Sequence, residues 1–498
     1  MTAPSSPAAD YSGRYRALVL GLLLCAYVVN FIDRSVLSIL GPAIRADLGL
    51  SSTQIGLLGG LYFALLYTLL GLPIARLAER MNRVNILALS LAVWSGFTAL
   101  CGLASNFVGL ALCRFGVGVG EAGCSPPAHS LISDYFPPSR RASAMAVYSL
   151  GVPLGVMFGA AAGGWLAQSL GWRWAFVAVG LPGVLLAIAI RLLMREPPRG
   201  HADAQARLAA GLAPEPQPAP PPLSLGRELR EIGAVARTLF GRWSLLHMTL
   251  GITLVSFGLY GSNQFAPQYF VAAFQLDLAT VGLIVGLIGG VGAGVGTLAG
   301  GFLADRLARR SPAWYALTPA IGLALCTPLY ILAYTQPSWT VAAAILIVPG
   351  LFHYTYLGPT FGVVQNAVPV RRRATATAVL LLFLNMIALA GGPPFTGWVI
   401  DRLAEARLAG VGVGDVWALL GVWLGGAAPT ADFAVVCPGG VAPTGAGAGQ
   451  VEACRAALAE GTRGGLVLTF LFYAWASVHY FLAAMGMSRR DAPEAGEE

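Results

Sequence analysis

Four charged residues stand inside stretches that are otherwise apolar: Asp33, Arg34, Arg114 and Glu121. A charge at the centre of a bilayer-spanning helix costs about 2.5–3.5 kcal/mol on insertion scales, so such residues face partners or a water-filled cavity. Arg114 and Glu121 are seven residues apart, two helical turns, which sets them on one face about 10 Å apart along the axis. Asp33 and Arg34 are adjacent and point about 100° apart; the sequence leaves open which of them meets a cavity and which packs between helices. Burial favours a neutral carboxyl and a nearby guanidinium favours a carboxylate. That competition makes a proton switch, in which Glu121 and Asp33 load protons when Arg34 or Arg114 moves away and release them when the pair re-forms. Arg34 and Arg114 have a second use, because guanidinium groups bind phosphate or carboxylate in a bidentate fashion. An anion on the arginines would free the carboxylates for protons and couple the two fluxes. A permanently paired, structural cluster is the alternative.

Other polar residues in apolar stretches are weaker candidates. His353, beside Tyr354 and Tyr356, either titrates, hydrogen-bonds a substrate or is a packing histidine. Tyr148, Tyr260, Asn263, Gln264 and Asn385 are expected to line a cavity and touch substrate, or to bond neighbouring helices. Gly286, Gly290 and Gly294 recur every four residues, a stripe for close helix approach. Neither this stripe nor Gly116, Gly118 and Gly120 follows a strand, as a nucleotide-binding loop must. His129, His247 and His479 fall in separate apolar stretches without the spacing of a metal site. No metal, cofactor or ATP-driven engine is expected. Ser130 beside His129 is poor evidence for a catalytic triad, so an enzyme is not expected.

The elements that must position these residues follow from composition. Hydrophobic residues make up 56% of the 498-residue chain and charged residues 11%, with mean hydropathy +0.69. A water-soluble surface needs far more charge. A membrane-crossing helix needs about 20 mostly apolar residues, and such runs recur near 16–40, 53–77, 85–104, 107–133, 141–168, 174–193, 243–273, 280–307, 314–335, 339–366, 373–400 and 464–487. The runs are continuous rather than alternating, which rejects a transmembrane barrel. The fold class is an all-α polytopic membrane protein of twelve helices in two pseudo-symmetric six-helix bundles. Its parts are a tail 1–15, a bundle 16–194, a linker 195–242 with a Pro-rich run at 213–223, a second bundle 243–487 and a tail 488–498. A long loop at about 404–463 interrupts the second bundle, with Trp417 and Trp423 suggesting a short helix on the membrane surface.

The net charge of +8 does not point to nucleic acid, because the basic residues sit at helix ends rather than in one patch. All 31 are arginine, and alternating loops place 23 of them on the side of the termini and six on the opposite side. By the positive-inside rule both termini are cytoplasmic, as in a bacterial-type inner (plasma) membrane. The first 13 residues lack the features of a secretory signal, so the first span is expected to stay in the mature chain. Cys437 and Cys454 then face outward, where a disulfide is plausible. Cys25, Cys101, Cys113, Cys124 and Cys326 read as small core residues.

The halves repeat each other. Ala75-Arg76-Leu77-Ala78-Glu79-Arg80 with Arg83 follows span 2, and Gly301-Phe302-Leu303-Ala304-Asp305-Arg306 with Arg309 follows span 8. Arg140-Arg141 precedes span 5 and Arg372-Arg373 precedes span 11, with Gly164-Trp165 and Gly397-Trp398 closing those spans. Parallel six-span repeats with a midplane site between them are a transporter signature. With these motifs the chain resembles the major facilitator superfamily, although Ala75 and Glu79 depart from the family's glycine and aspartate. The resemblance implies that Glu79, Arg80, Arg83, Asp305, Arg306 and Arg309 gate the cytoplasmic side; ordinary helix-end charge is the alternative.

A narrower resemblance rests on Asn30-Phe31-Ile32-Asp33-Arg34, on the run from Arg114 to Ala122, and on Ser149-Leu150-Gly151-Val152-Pro153-Leu154-Gly155. These look like the spinster branch, associated with sphingosine phosphate and lysolipid transport. It implies a monomeric, proton-coupled transporter of an amphipathic anionic lipid that works by alternating access among membrane lipids. A proton-linked transporter of small organic anions is the nearest rival, and a lipid receptor or scramblase is the rival from another class. The series Gly151, Pro153, Gly155, Gly159 loosely resembles the family's antiporter motif, which favours export.

Overall fold

The computed structural model describes residues 11–213, 225–369, 372–410 and 432–487. Twelve helices are long and apolar enough to cross a membrane: Gly13–Leu48, Ser52–Ala78, Arg83–Cys101, Phe107–Tyr135, Pro138–Leu170 and Trp172–Leu193 as spans 1 to 6, then Trp243–Phe274, Leu278–Ala308, Trp314–Tyr334, Trp339–Asn366, Thr375–Leu408 and Ala448–Met487 as spans 7 to 12. Trp417, Trp423, most of the Pro-rich run, Arg371 and both chain ends lie outside the described residues. The face where span 1 begins and span 12 ends is called proximal below, and the opposite face distal.

Helix ends are set locally. The side chain of Ser12 accepts from Tyr15 N at the start of span 1, and Gly49 ends that span with φ 64°, a left-handed conformation that glycine adopts without strain. Ser51 and Gln54 form a reciprocal capping box at the start of span 2, satisfying two otherwise orphaned donors. Span 12 departs from the sequence expectation, its helix running from Ala448 rather than from 464. Its first turns carry Glu452–Arg455 and Arg407–Glu460 ion pairs, so it projects beyond the apolar layer. In the linker, His201–Ala209 and Leu225–Gly241 are helical.

Several spans break at mid-depth. Span 4 stops at Glu121 and restarts at Ser125; Pro126 and Pro127 have no N–H to give, so the carbonyls one turn earlier lose their helical donors. Span 2 bends at Gly60, span 10 passes through a 3-10 turn at Tyr354–Tyr356, and span 11 contains a π-turn at Leu384–Leu389. Irregular backbone at membrane depth is tolerated where protein or a cavity, rather than lipid, surrounds it.

The halves meet along two seams. Span 5 packs on span 8, where a Cβ on Gly282 would strike the Ala160 carbonyl and one on Gly290 would come within 2.9 Å of Met157 Cβ. At Gly294 the nearest atom is Pro153 Cβ at 3.7 Å, so the seam loosens toward the proximal face. Span 2 packs on span 11, with Gly56 against the Pro393 carbonyl and Gly397 against the Ser52 backbone. Hydrogen bonds crossing between the halves gather at mid-depth and distally: Ser38 Oγ donates to Asn263 O at 2.5 Å, and Ala279 N to Gln168 Oε1 at 3.0 Å. Gly282→Ala is expected to lower the melting temperature in detergent, because overpacking a tight contact costs about 1–3 kcal/mol. Gly21→Ala, where nothing lies within 4 Å, is the control. Equal melting of the two variants would contradict the seam.

Candidate functional site

Three of the four intramembrane charges converge around Phe63. Arg34 Nε donates to Glu121 Oε2 at 2.7 Å, with the Glu121 side chain fully buried and that of Arg34 22% exposed. The Arg34 guanidinium also lies over the rings of Phe31, Phe63 and Tyr67 at 5.3, 5.0 and 4.7 Å, and rings at this range attract a cation. Arg114 is buried; its Nε donates to Leu58 O at 3.2 Å and its guanidinium sits 5.0 Å from the same Phe63 ring. The two charges of span 4 therefore part company, Glu121 to span 1 and Arg114 to the backbone of span 2.

Asp33 answers the question of direction. It is wholly buried and packs beside Trp94 and Thr98 of span 3, with Glu121 and Arg114 as charged neighbours. Glu121 Oε1 has no hydrogen-bond partner, and the Asp33 carboxyl has only the Thr98 hydroxyl and the Trp94 indole beside it as donors. Arg34 instead lines a cavity of about 250 Å³ between the halves, together with Arg114.

The second half supplies Tyr260, Asn263, Gln264, Tyr330, His353 and Phe470 to the same cavity. The rings of Tyr330 and Phe470 stack at 4.2 Å, and Tyr330 Oη lies 2.9 Å from His353 Nδ1. Two expected cavity residues are elsewhere. Tyr148 stacks on Tyr27 at 4.3 Å and meets the edge of His129, inside the first bundle, because the break at Leu150 turns it toward span 1. Asn385 lies in the π-turn of span 11 and is not part of the cavity lining. Both are corrections to the expected substrate contacts.

Of the expected gate residues, Arg83, Glu79 and Asp305 bond within their own half in this conformation. Arg83 is buried and pairs with Glu196 at 2.6 Å and with Asp134, and it donates to Ser130 Oγ at 2.8 Å and to Pro197 O at 3.0 Å. It ties the chain after span 6 to spans 3 and 4, since two acids and a carbonyl surround a fork of five donors. Glu79 accepts from Arg76 on its own helix at 3.0 Å, and Asp305 from Tyr315 Oη at 3.2 Å. Arg80, Arg306 and Arg309 are exposed.

A latch that sequence reading missed closes the distal side. Asp401 of span 11 accepts from Ser52 N at 2.9 Å, Thr53 N at 2.8 Å and Thr53 Oγ1 at 2.7 Å. A carboxylate of one half thus caps the helix N-terminus of the other, where exposed amides and the helix dipole favour negative charge. Next to it Arg45, buried, donates to Ser52 Oγ at 3.3 Å. Cys437 and Cys454 are joined by a disulfide, and the adjoining Gly439 and Gly440, at φ 63° and 73°, lie against Arg45. Histidines that the sequence places in separate spans also meet, His247 Nδ1 lying 2.7 Å from His479 Nδ1.

Two six-helix bundles sealed on one face around a cavity with a buried ion pair define a secondary transporter rather than an enzyme. The chain belongs to the major facilitator superfamily, whose family model matches residues 23–393. It is similar, at 33% identity and TM-score 0.77, to the crystal structure of a bacterial homologue of the human lysosomal transporter spinster in its inward-facing, unoccupied conformation; the match covers 96% of this chain and 98% of that one. It is 31% identical over 404 residues to an MFS-type efflux pump of Mycolicibacterium smegmatis, covering 80% of this chain and 87% of the relative. It is 30% identical over 403 residues to a probable L-galactonate transporter of Escherichia coli, with 80% and 85% covered.

Proposed function

We propose that this protein couples protons to the transport of an amphipathic anion, of the lysophospholipid or sphingosine-phosphate kind, by alternating access. The observation that carries the reading is the Arg34–Glu121 pair, one partner partly exposed at the cavity and the other fully buried. An anionic headgroup that binds Arg34 draws it off Glu121. The stranded carboxylate, in a low-dielectric site, then takes a proton. Asp33, wholly buried and outside the ion pair, is the second carboxyl able to carry one. A bound species shifts the rocking equilibrium only through different affinities for the two states, and a carboxylate paired in one state and neutral in the other supplies that difference. With the arginine imbalance placing both termini in the cytoplasm, the distally latched form described above is the inward-facing one.

The lipid element comes from the resemblance of the motifs at Asn30–Arg34, Arg114–Ala122 and Ser149–Gly155 to the spinster branch and from the aromatic wall of the second half, which suits a chain beside the headgroup. The cavity of about 250 Å³ favours a second reading, a small organic anion of the size of a sugar acid. Purified protein in proteoliposomes with an imposed pH gradient separates them. Accumulation of a labelled lysolipid that collapses on adding a protonophore supports the proposal. Accumulation of galactonate alone supports the second reading, and passive lysolipid flux indifferent to pH would point to a scramblase.

A further inference from the structure

We infer that His353 is a specificity-determining hydrogen-bond donor, which selects anions bearing an uncharged oxygen, such as a hydroxyl, ester or ether, apart from the anionic group. The inference rests on the transport reading above and adds the second half's share of recognition. His353 ends the first helical segment of span 10, where the backbone tightens into the turn Tyr354–Tyr356. It is 3% exposed and lines the cavity. Its ring is fixed by two contacts, stacked on Tyr354 at 4.1 Å and held at Nδ1 by Tyr330 Oη at 2.9 Å. Its other nitrogen, Nε2, is buried and has no hydrogen-bond partner.

A neutral imidazole has one donor and one acceptor nitrogen, and the bond made by one decides the role of the other. The rings against His353 are those of Tyr330, Tyr354, Tyr356 and Tyr473, all uncharged, and the imidazole among them is neutral. Phenol is a better donor than acceptor, and an imidazole nitrogen is a better acceptor than a phenol oxygen. Tyr330 therefore donates to Nδ1, and the ring proton sits on Nε2. A buried N–H without an acceptor is unfavourable, and a substrate oxygen in the cavity removes the penalty. A site of this kind discriminates strongly against an analogue that lacks the matching group. Tyr330 is a positioning residue: its hydroxyl sets the tautomer.

The oxygen has two sources, the glycerol part of a lysolipid headgroup or a free hydroxy acid. The experiment therefore uses two pairs in proteoliposomes: lauroyl lysophosphatidate with dodecyl phosphate, and galactonate with hexanoate. The readout is the ratio of KM values within a pair, which a general structural loss changes little because it weakens both members. The wild-type protein is expected to favour the oxygenated member by about tenfold, in whichever pair it transports. His353→Phe, which keeps a ring and removes the donor, is expected to bring the ratio to within about twofold. Tyr330→Phe is expected to lower it part of the way and stands in if the first variant does not fold. An unchanged ratio in either folded variant overturns the inference while leaving the transport reading intact. A wild-type protein that transports neither pair overturns that reading and this inference with it.

Discussion

Glu121→Gln removes nearly all uptake driven by a pH gradient. Glutamine fills the same volume and keeps an oxygen for Arg34, so the packing around Trp94 and Phe63 survives, but the side chain no longer changes charge. Leaving one partner of a buried pair without its counter-charge costs about 3–5 kcal/mol. Arg34 is 22% exposed at the cavity, so the lower end, about 3 kcal/mol of stability, applies, and the loss of gradient-driven uptake comes instead from the missing titratable group. Counterflow of labelled substrate, which requires no net proton movement, is the part of the cycle that persists. Initial rates with and without the gradient check this, and gradient-driven uptake at the wild-type rate would assign the Arg34–Glu121 pair to structure alone.

Asp401→Asn loosens the distal seal. Asparagine keeps one acceptor for Ser52 N but presents its amide nitrogen where Thr53 N and Thr53 Oγ1 now donate. The Thr53 hydroxyl can turn to accept from the amide, so one bond to a charged group is lost outright, about 1.5–3 kcal/mol, and the equilibrium is expected to shift toward the distal-open form by roughly 10–100-fold. Hydrogen exchange at the amides of residues 52 and 53 reads the change directly, because both are sealed by Asp401 in the closed form. Exchange no faster than in the wild-type protein would show that the glycine contacts of spans 2 and 11 hold the seam without the carboxylate.

The parts of this account that were legible in the sequence are those that hydropathy forces. Apolar length reveals a span, and an ionisable residue inside one has to find a partner, so Arg34, Arg114 and Glu121 could be chosen before any fold was known. Direction was less legible. Tyr148 and Tyr260 are both tyrosines in apolar helices, yet one stacks within the first bundle and the other lines the cavity, because tertiary packing decides which face of each helix meets the other half. The Asp401 latch joins residues 349 apart, and nothing local marks it. Arg83 was placed as a gate by its motif, and its burial among Asp134 and Glu196 depends on the fold of the chain after span 6. The start of span 12 was missed because Glu452, Arg455 and Glu460 interrupt the apolar run, although Cys454, Ala457 and Leu458 between them are buried. Aromatic partners had a signal that was there to be used: Phe31 lies three residues before Arg34, and Phe63 and Tyr67 are one turn apart.

The central claim is that anion binding at Arg34 loads a proton on the buried carboxylates. Its most direct test is proton uptake by the purified, detergent-solubilised wild-type protein on addition of lauroyl lysophosphatidate, followed with a pH-sensitive dye in weakly buffered solution at constant ionic strength. The account predicts net uptake on binding in the wild-type protein and its loss in Glu121→Gln. Saturable binding with no proton taken up, or with the same uptake in both proteins, would contradict it.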